Sequence, residues 1–530
     1  MSLPKFVVRN LLLVIACGLP AISVAEDWSQ WRGDNCSGIY QSDKKLPTTF
    51  SSTENVKWST DIGDGIASPI VVGGRVFITS MRYEPGKEPK AEVAEGETQE
   101  KPTQFNVFCF DAETGKKLWQ REYSAGDRKL PTIHDTNSFA SATCAADNER
   151  VYAYFTRIGL VALDAKTGED VWQQPIPEPF YVFDWGPGMS PVLYKDKLFF
   201  CQDDDLTPAL YCLDKKTGKI LWTDSRTDFA VSYSHPIVVE TPQGPELVVA
   251  GTGKLVGYDI ETGKRKWAAE IFCRNIKTTP LTHDGIVYLS VMSYGISYQW
   301  RATADANGDG KITREEIIES RKDKDYGIPD AFWEKFERGD KNNDGVLEGE
   351  EIDIAFLDPT NKGGLLAKDV QNLGGEQETD WKKFDADLQG ASLIQAVRGG
   401  GTGDVSKSHT VWKHNTKAAD HLVSPLVVDG RMVLVKSNGI VSAYETEKGE
   451  PLYVNKRLNN TSSYLGGPVY GDGKIYAPAE NGHIVVLANN AEFEEPLADN
   501  DMGEAIINAI AIADGRLFIR TRNKLFCVAE

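Results

Sequence analysis

The nine residues Asp164-Ala165-Lys166-Thr167-Gly168-Glu169-Asp170-Val171-Trp172 hold a phrase, Asp-x-x-Thr-Gly-x-x-x-Trp, that recurs along the chain. Full copies run from Asp111 to Trp119, Asp214 to Trp222 and Asp259 to Trp267, and a worn copy keeps the offsets with Glu445, Lys448, Gly449 and Tyr453. The four full copies start 53, 50 and 45 residues apart. A period of that size denotes an array of small units that share one core.

Each phrase follows a short apolar strand such as Leu160-Val161-Ala162-Leu163 and leads into another. Asp bonds the turn backbone and Gly supplies the residue with positive φ, so the phrase predicts a β-hairpin. The closing Trp is large and rigid, and suits a wedge between neighbouring sheets. Upstream of each hairpin stands a small residue plus Pro, then an apolar run, then a turn. Six copies are plain: Ser68-Pro69, Ser190-Pro191, His235-Pro236, Thr279-Pro280, Ser424-Pro425 and Gly467-Pro468. Weaker ones lie near Thr143-Cys144 and Ala509-Ile510. Pro at a strand's first residue loses no ladder bond that matters.

Each unit therefore reads as four strands, A to D, and eight A-strand signals predict an all-β, eight-bladed β-propeller. Trp58 looks like a D strand with no A–B–C before it, while Arg516 to Glu530 supplies B and C with no D after them. The N-terminal strand is expected to complete the last blade and close the ring. The rival, an open array of hairpins, would leave edges that invite aggregation.

Lys5 and Arg9, an apolar run from Leu11 to Val24 and Ser23-Val24-Ala25 match a signal peptide cleaved before Glu26. The apolar run is too short for a membrane anchor, so no membrane span is expected. Cys17 in Val14-Ile15-Ala16-Cys17 offers lipoprotein processing as the rival; otherwise the product is periplasmic or secreted. A formal net charge of −19 argues against nucleic acid as a partner. One ring is expected to be a monomer. Seven cysteines follow Ala25, and those two residues before the turn acid (Cys109, Cys212) share a slot with Ala162, Gly257 and Ala443, which asks for a small residue. Cys201 and Cys212 could face each other across strands B and C of one blade.

The spacing breaks once, between Pro280 and Pro425. The surplus lies between the B and C strands of blade five, so the expected segments are 1–25, 26–294, 295–390 (the insertion) and 391–530. A smaller charged surplus, about Tyr83 to Thr103, falls between B and C of blade one. Both would decorate the face opposite the Thr-Gly turns.

The insertion carries two twelve-residue loops with EF-hand spacing. The first presents Asp305, Asn307, Asp309, Lys311, Thr313 and Glu316; the second presents Asp340, Asn342, Asp344, Val346, Glu348 and Glu351. Positions 1, 3 and 5 offer side-chain oxygens, Gly at 6 permits the bend, position 7 gives a carbonyl, position 9 acts through water, and Glu at 12 binds bidentately. Two Ca²⁺ sites are expected. Ile312 and Leu347, at position 8, can pair between the loops. Asp330 to Arg338 predicts an incoming helix for the second loop, with Phe332, Trp333 and Phe336 as its apolar contacts.

These repeats resemble the pyrroloquinoline-quinone (PQQ)-like propeller repeat. Asp27-Trp28-Ser29-Gln30-Trp31-Arg32-Gly33, Asn137-Ser138-Phe139-Ala140-Ser141, Arg150-Val151-Tyr152-Ala153 and Gly399-Gly400-Gly401-Thr402-Gly403-Asp404 resemble a bacterial family of exported PQQ-like repeat proteins. Most members look like non-enzymatic propellers related to the propeller subunit of the outer-membrane barrel-assembly machinery. The resemblance implies a scaffold that takes a protein or extended ligand on the B–C and D–A loop face. Its enzymatic cousins, the quinoprotein alcohol dehydrogenases, hold PQQ against a disulfide of adjacent cysteines, and this chain has no Cys-Cys dipeptide. PQQ is accordingly not expected, although a PQQ-dependent alcohol or sugar dehydrogenase stays open as the alternative. A third reading is carbohydrate binding by Tyr181, Trp185 and Trp381. No catalytic residue is assigned: Asp203-Asp204-Asp205 reads as a solvated turn, and His134-Asp135 as a loop histidine bonding a neighbour.

Overall fold

The computed structural model describes residues 27–84, 101–293, 304–355 and 391–530, apart from positions 128–129, 135, 182–183, 228, 230, 272–275, 306, 321, 323–327, 329, 350, 353–354 and 421. The segment 1–25 expected to be a signal peptide, Cys17 within it, Asp135 and Trp381 lie outside the described residues.

Eight sheets carry the chain around a ring, each built on four antiparallel strands in A–B–C–D order, with a fifth strand added in blade 4. Blade 3 shows why. Its B strand, Lys197–Gln202, is buried throughout, whereas its D strand, Ile220–Ser225, alternates half-buried and exposed. An inner strand is covered on both faces by the neighbouring blades, while an outer one is half wetted. All eight A-strand signals open a sheet, from Ile70–Val72 in blade 1 to Ala511–Ala513 in blade 8. Closure follows the expected route: Val56–Asp61 pairs with Lys524–Val528 and supplies the D strand of blade 8.

The repeated phrase works across the seam between blades. The indole Nε1 of Trp58, Trp119, Trp172, Trp222 and Trp412 donates to a carbonyl in the next blade's C–D turn, at Ala112, Ala165, Lys215, Ile260 and Thr446, over 2.8–3.3 Å. The ring then lies on the turn glycine. A Cβ on Gly115, Gly168, Gly218 or Gly449 would sit 2.5–2.6 Å from the preceding blade's indole. Gly168 has φ +74°, so it serves a left-handed turn and a close approach together. The small-residue slot is explained too, because Cys109, Ala162, Cys212, Gly257 and Ala443 lie directly opposite the D-strand aromatic of their own blade.

Trp267 is the exception. The longer C–D connection of blade 5 lacks the Asp-x-x-Thr-Gly phrase that would receive it, and its Nε1 donates instead to Glu246 of its own blade at 2.8 Å. Glu246 is buried and also takes Gly400 N at 2.9 Å and the Lys266 ammonium. Gly403–Asp404 then adds a short parallel strand to Arg265–Glu270, making blade 4 five-stranded.

The residues before the A-strand prolines form a hydrogen-bonded belt around the channel. Ala509 N donates to Ser68 Oγ, Ser68 N to Thr143 Oγ1, Thr143 N to Ser190 Oγ, Ser190 N to His235 Nε2, His235 N to Thr279 Oγ1 and Thr279 N to Ser424 Oγ, all at 2.9–3.2 Å. Gly467 has no side chain to extend the belt. There Arg32, fully buried, donates through Nη2 to the carbonyls of Pro425 and Pro468 at 2.8 Å each and ties blade 6 to blade 7.

Arg32 belongs to an N-terminal segment that lines the A–B turn end of the channel before entering blade 8. Trp28 bridges to Val71 of blade 1, and Ser29 O accepts from Ala146 N of blade 2 at 2.8 Å. Gln30 Oε1 takes Leu193 N of blade 3, and Asn35 bonds both backbone groups of Val238 in blade 4. Ile39 and Tyr40 reach Tyr470 of blade 7, and Lys44 pairs with Asp514 of blade 8.

The large insertion separates Ile286–Ser293 from Ala391–Arg398, the B and C strands of blade 5. The smaller charged surplus separates Arg75–Arg82 from Gln104–Asp111, B and C of blade 1. Cys201 and Cys212 do not face each other. The hairpin register sets Cys201 opposite Leu210 and Cys212 opposite Phe199, and both thiols are free and buried.

Candidate functional site

Two parts of the loop face carry chemistry: the paired loops of the insertion and the mouth of the channel.

In the first loop, Asp305 Oδ1 and Oδ2 accept from the amides of Asp309 (3.0 Å) and Gly310 (2.8 Å), Asn307 Oδ1 from Asp309 (2.8 Å) and Asp309 Oδ1 from Lys311 (2.9 Å). The second loop repeats the pattern, with Asp340 taking Asp344 and Gly345, Asn342 taking Asp344, and Asp344 taking Val346. Gly310 and Gly345 turn at φ +80° and +81°. Thr313 and Glu316 form a capping box on helix Arg314–Glu319. Glu351 accepts from the amides of Lys341 (3.2 Å) and Glu348 (3.3 Å).

The loops join through a two-stranded ladder in which Ile312 lies opposite Leu347 and Lys311 pairs with Glu348 at 2.7 Å. The expected incoming helix runs Asp330–Gly339, and Phe332 and Phe336 enter a small core with Ile312, Ile317, Leu347 and Ile352. Among the described residues no three His, Cys, Asp or Glu side chains converge on one point as placed. The donor set is nevertheless all-oxygen, as a hard cation requires. Glu316 Oε1 is buried without a hydrogen-bond partner, a carboxylate oxygen that a cation would satisfy.

This small core does not stand alone. Phe180, from the blade 2–3 connection, and Leu206, from the B–C loop of blade 3, pack against it. The Lys335 ammonium, on helix Asp330–Gly339, donates to the Asp205 carbonyl. The triple-Asp stretch is therefore not a solvated turn, since Asp203, Asp204 and Asp205 are all buried. Asp203 grips Arg226 through two bonds of 2.6 and 2.8 Å. Asp204 holds the amides of Phe180 (2.9 Å) and Thr207 (2.7 Å), and burial pushes its carboxyl up to about 7. The sequence view failed here because Arg226 lies 23 positions downstream.

At the channel mouth Trp185 stacks on His134 with ring centroids 5.0 Å apart, and Lys277 Nζ lies 4.1 Å from the Trp185 ring centre. Burial lowers the Lys277 ammonium to about 8, opposed by Asp420. His134 also bonds Thr136 at 2.8 Å, the bland role expected of it. Tyr181 is not an exposed sugar platform: it is buried and stacked on Tyr233. Lys277 and the Trp31–His235 stack below (4.3 Å) went unnoticed in the sequence, because each depends on segments far apart in the chain.

The family model described as outer membrane protein assembly factor BamB matches residues 50–182 and 103–320, together just over half of the chain. The outer membrane protein assembly factor BamB of Yersinia pestis is 21% identical over 492 residues, spanning 90% of this chain and 98% of that protein. A 1-butanol dehydrogenase (quinone) of Thauera butanivorans is 29% identical over 132 residues, 22% of this chain and 21% of that one. The crystal structure of BamB from Moraxella catarrhalis overlays with a TM-score of 0.45 at 12% identity, covering 89% of this chain and 98% of that one.

Proposed function

From a chain that belongs to the family described as outer membrane protein assembly factor BamB, a family of PQQ-like repeat propellers, we propose an exported, non-enzymatic binding module. It takes a protein or extended ligand on the B–C and D–A loop face, and its insertion binds two Ca²⁺ through Asp305, Asn307, Asp309, Lys311, Thr313, Glu316 and Asp340, Asn342, Asp344, Val346, Glu348, Glu351. The observation that carries the reading is the N-terminal segment seated at the A–B turn end, bonded to blades 1 to 4 and 6 to 8. That end is filled by the chain itself, which leaves the loop face for a visitor. There Trp185, His134 and Lys277 form a rigid aromatic and cationic cluster of the kind that anchors interfaces.

A photo-crosslinking side chain at Trp185 should capture a discrete partner in the cell envelope, and one at Leu118 on the outer rim should not. Equal capture from both positions refutes the assignment of the face. Saturable dye reduction by the PQQ- and Ca²⁺-supplemented protein with an alcohol refutes the non-enzymatic reading. Among the described residues no helix is long and apolar enough to cross a membrane.

A further inference from the structure

The insertion is rooted in blade 5, yet its described part docks on the blade 2–3 connection and on blade 3. The docking contacts among the described residues include an apolar part and a polar one. Phe180 and Leu206 close the small core of the insertion, and the Lys335 ammonium bonds the Asp205 carbonyl. Lys335 lies on helix Asp330–Gly339, which also gives Phe332 and Phe336 to that core and runs straight into Asp340, the first residue of the second loop. Phe332 and Phe336 of this helix are buried in the same core as Ile312 and Leu347, the residues that join the two loops.

Within that small body sit Asp305, Asp309, Glu316, Asp340, Asp344 and Glu351, six carboxylates whose repulsion opposes compaction unless a cation offsets it. We propose that cation loading of the paired loops latches helix Asp330–Gly339 onto the Asp203–Thr207 loop of blade 3, and that cation loss releases it. The proposal rests on the calcium reading above and adds what the ion controls. Release would uncover Phe180, Leu206 and the Asp205 carbonyl, which lie on the face assigned to the partner. With free Ca²⁺ about tenfold above its dissociation constant, each site multiplies the docked-to-undocked ratio by about 11 if the undocked insertion does not hold the ion.

The test uses the full mature chain. Isothermal titration counts the ions, and hydrogen–deuterium exchange follows the amides of Phe180 and Thr207, both held by Asp204. Chelation removes both ions and should raise their exchange by up to about a hundredfold, while amides of blade 7 stay unchanged. Glu316→Gln with Glu351→Gln should give the fast exchange even in Ca²⁺. Lys335→Ala should bind two ions normally and still exchange faster at both amides, which separates the latch from the ion sites. Two ions bound with exchange unaltered by chelation overturns the latch and leaves the calcium reading standing. No ion bound overturns both.

Discussion

The turn glycine and the preceding blade's tryptophan should be energetically coupled, and the coupling can be measured. Gly168 and Gly473 have nearly the same φ, +74° and +71°. A Cβ on Gly473 meets nothing within 4 Å, whereas one on Gly168 would sit 2.6 Å from the Trp119 ring. Gly473→Ala should therefore cost only the left-handed strain, about 1–2 kcal/mol. Gly168→Ala should carry the same strain plus overpacking of about 1–3 kcal/mol. Trp119→Ala alone should cost about 3–5 kcal/mol, since Trp119 is 9% exposed and bonds Ala165 O at 3.2 Å. In the double variant the new methyl has no indole to strike, so the two losses should fall short of additivity by about 1–3 kcal/mol. Urea unfolding followed by circular dichroism gives the four corners of the cycle, read at constant m-value. Equal costs for Gly168→Ala and Gly473→Ala, with an additive cycle, would mean that the glycine serves the turn alone and that the blade-to-blade clasp is wrongly drawn.

Acid should expose His235. Burial, with Arg32 nearby, lowers its imidazole to about 3, below the unfolded value of about 6.5. Its contribution is complete above pH 6.5, and declines as pH falls because only the unfolded chain gains the proton, by about 1.4 kcal/mol per pH unit down to about pH 3. Between pH 6.5 and 4.5 the wild type should lose about 3 kcal/mol more than His235→Gln, and parallel stability profiles would refute the belt's neutral histidine. Arg32→Met leaves the carbonyls of Pro425 and Pro468 unpaired and should destabilise by about 2–4 kcal/mol, read as a lowered urea midpoint. Glu316→Gln should weaken calcium uptake at one site while two-site binding persists in Lys335→Ala, a contrast that titration calorimetry resolves.

The architecture was legible because its determinants are local and periodic. Trp172, the Thr167–Gly168 turn and the Ser190-Pro191 strand start all lie within about one repeat of each other, so pattern alone places four strands per blade. The Asp330–Gly339 helix and the Ile312–Leu347 pairing were legible for the same reason. What escaped is long-range. The belt bonds run from one blade to the next, as from Thr279 to Ser424 across 145 positions, so no spacing announces them. Arg32 occupies the gap left by Gly467 more than four hundred positions away, and the N-terminal segment has no period of its own. Asp203 looked solvated because its apolar surroundings and its guanidinium partner come from other strands. The supposed Cys201–Cys212 pair failed by two positions, because the loop between Gln202 and Ala209 sets the register and not the hairpin's apparent symmetry.

Closure by Val56–Asp61 has a kinetic corollary. The pairing of Trp58 with Cys527 encloses almost the whole chain, and joining ends that far apart costs roughly 5 kcal/mol of loop entropy. Seven blades can assemble in order of synthesis, but the eighth waits for the last segment to be made. Until then the early strand offers a bare ladder to any passing chain, and the half-built ring has two open flanks where the finished one has none. The seam is thus the last part of the molecule to form, and the place where a holding chaperone would do the most good.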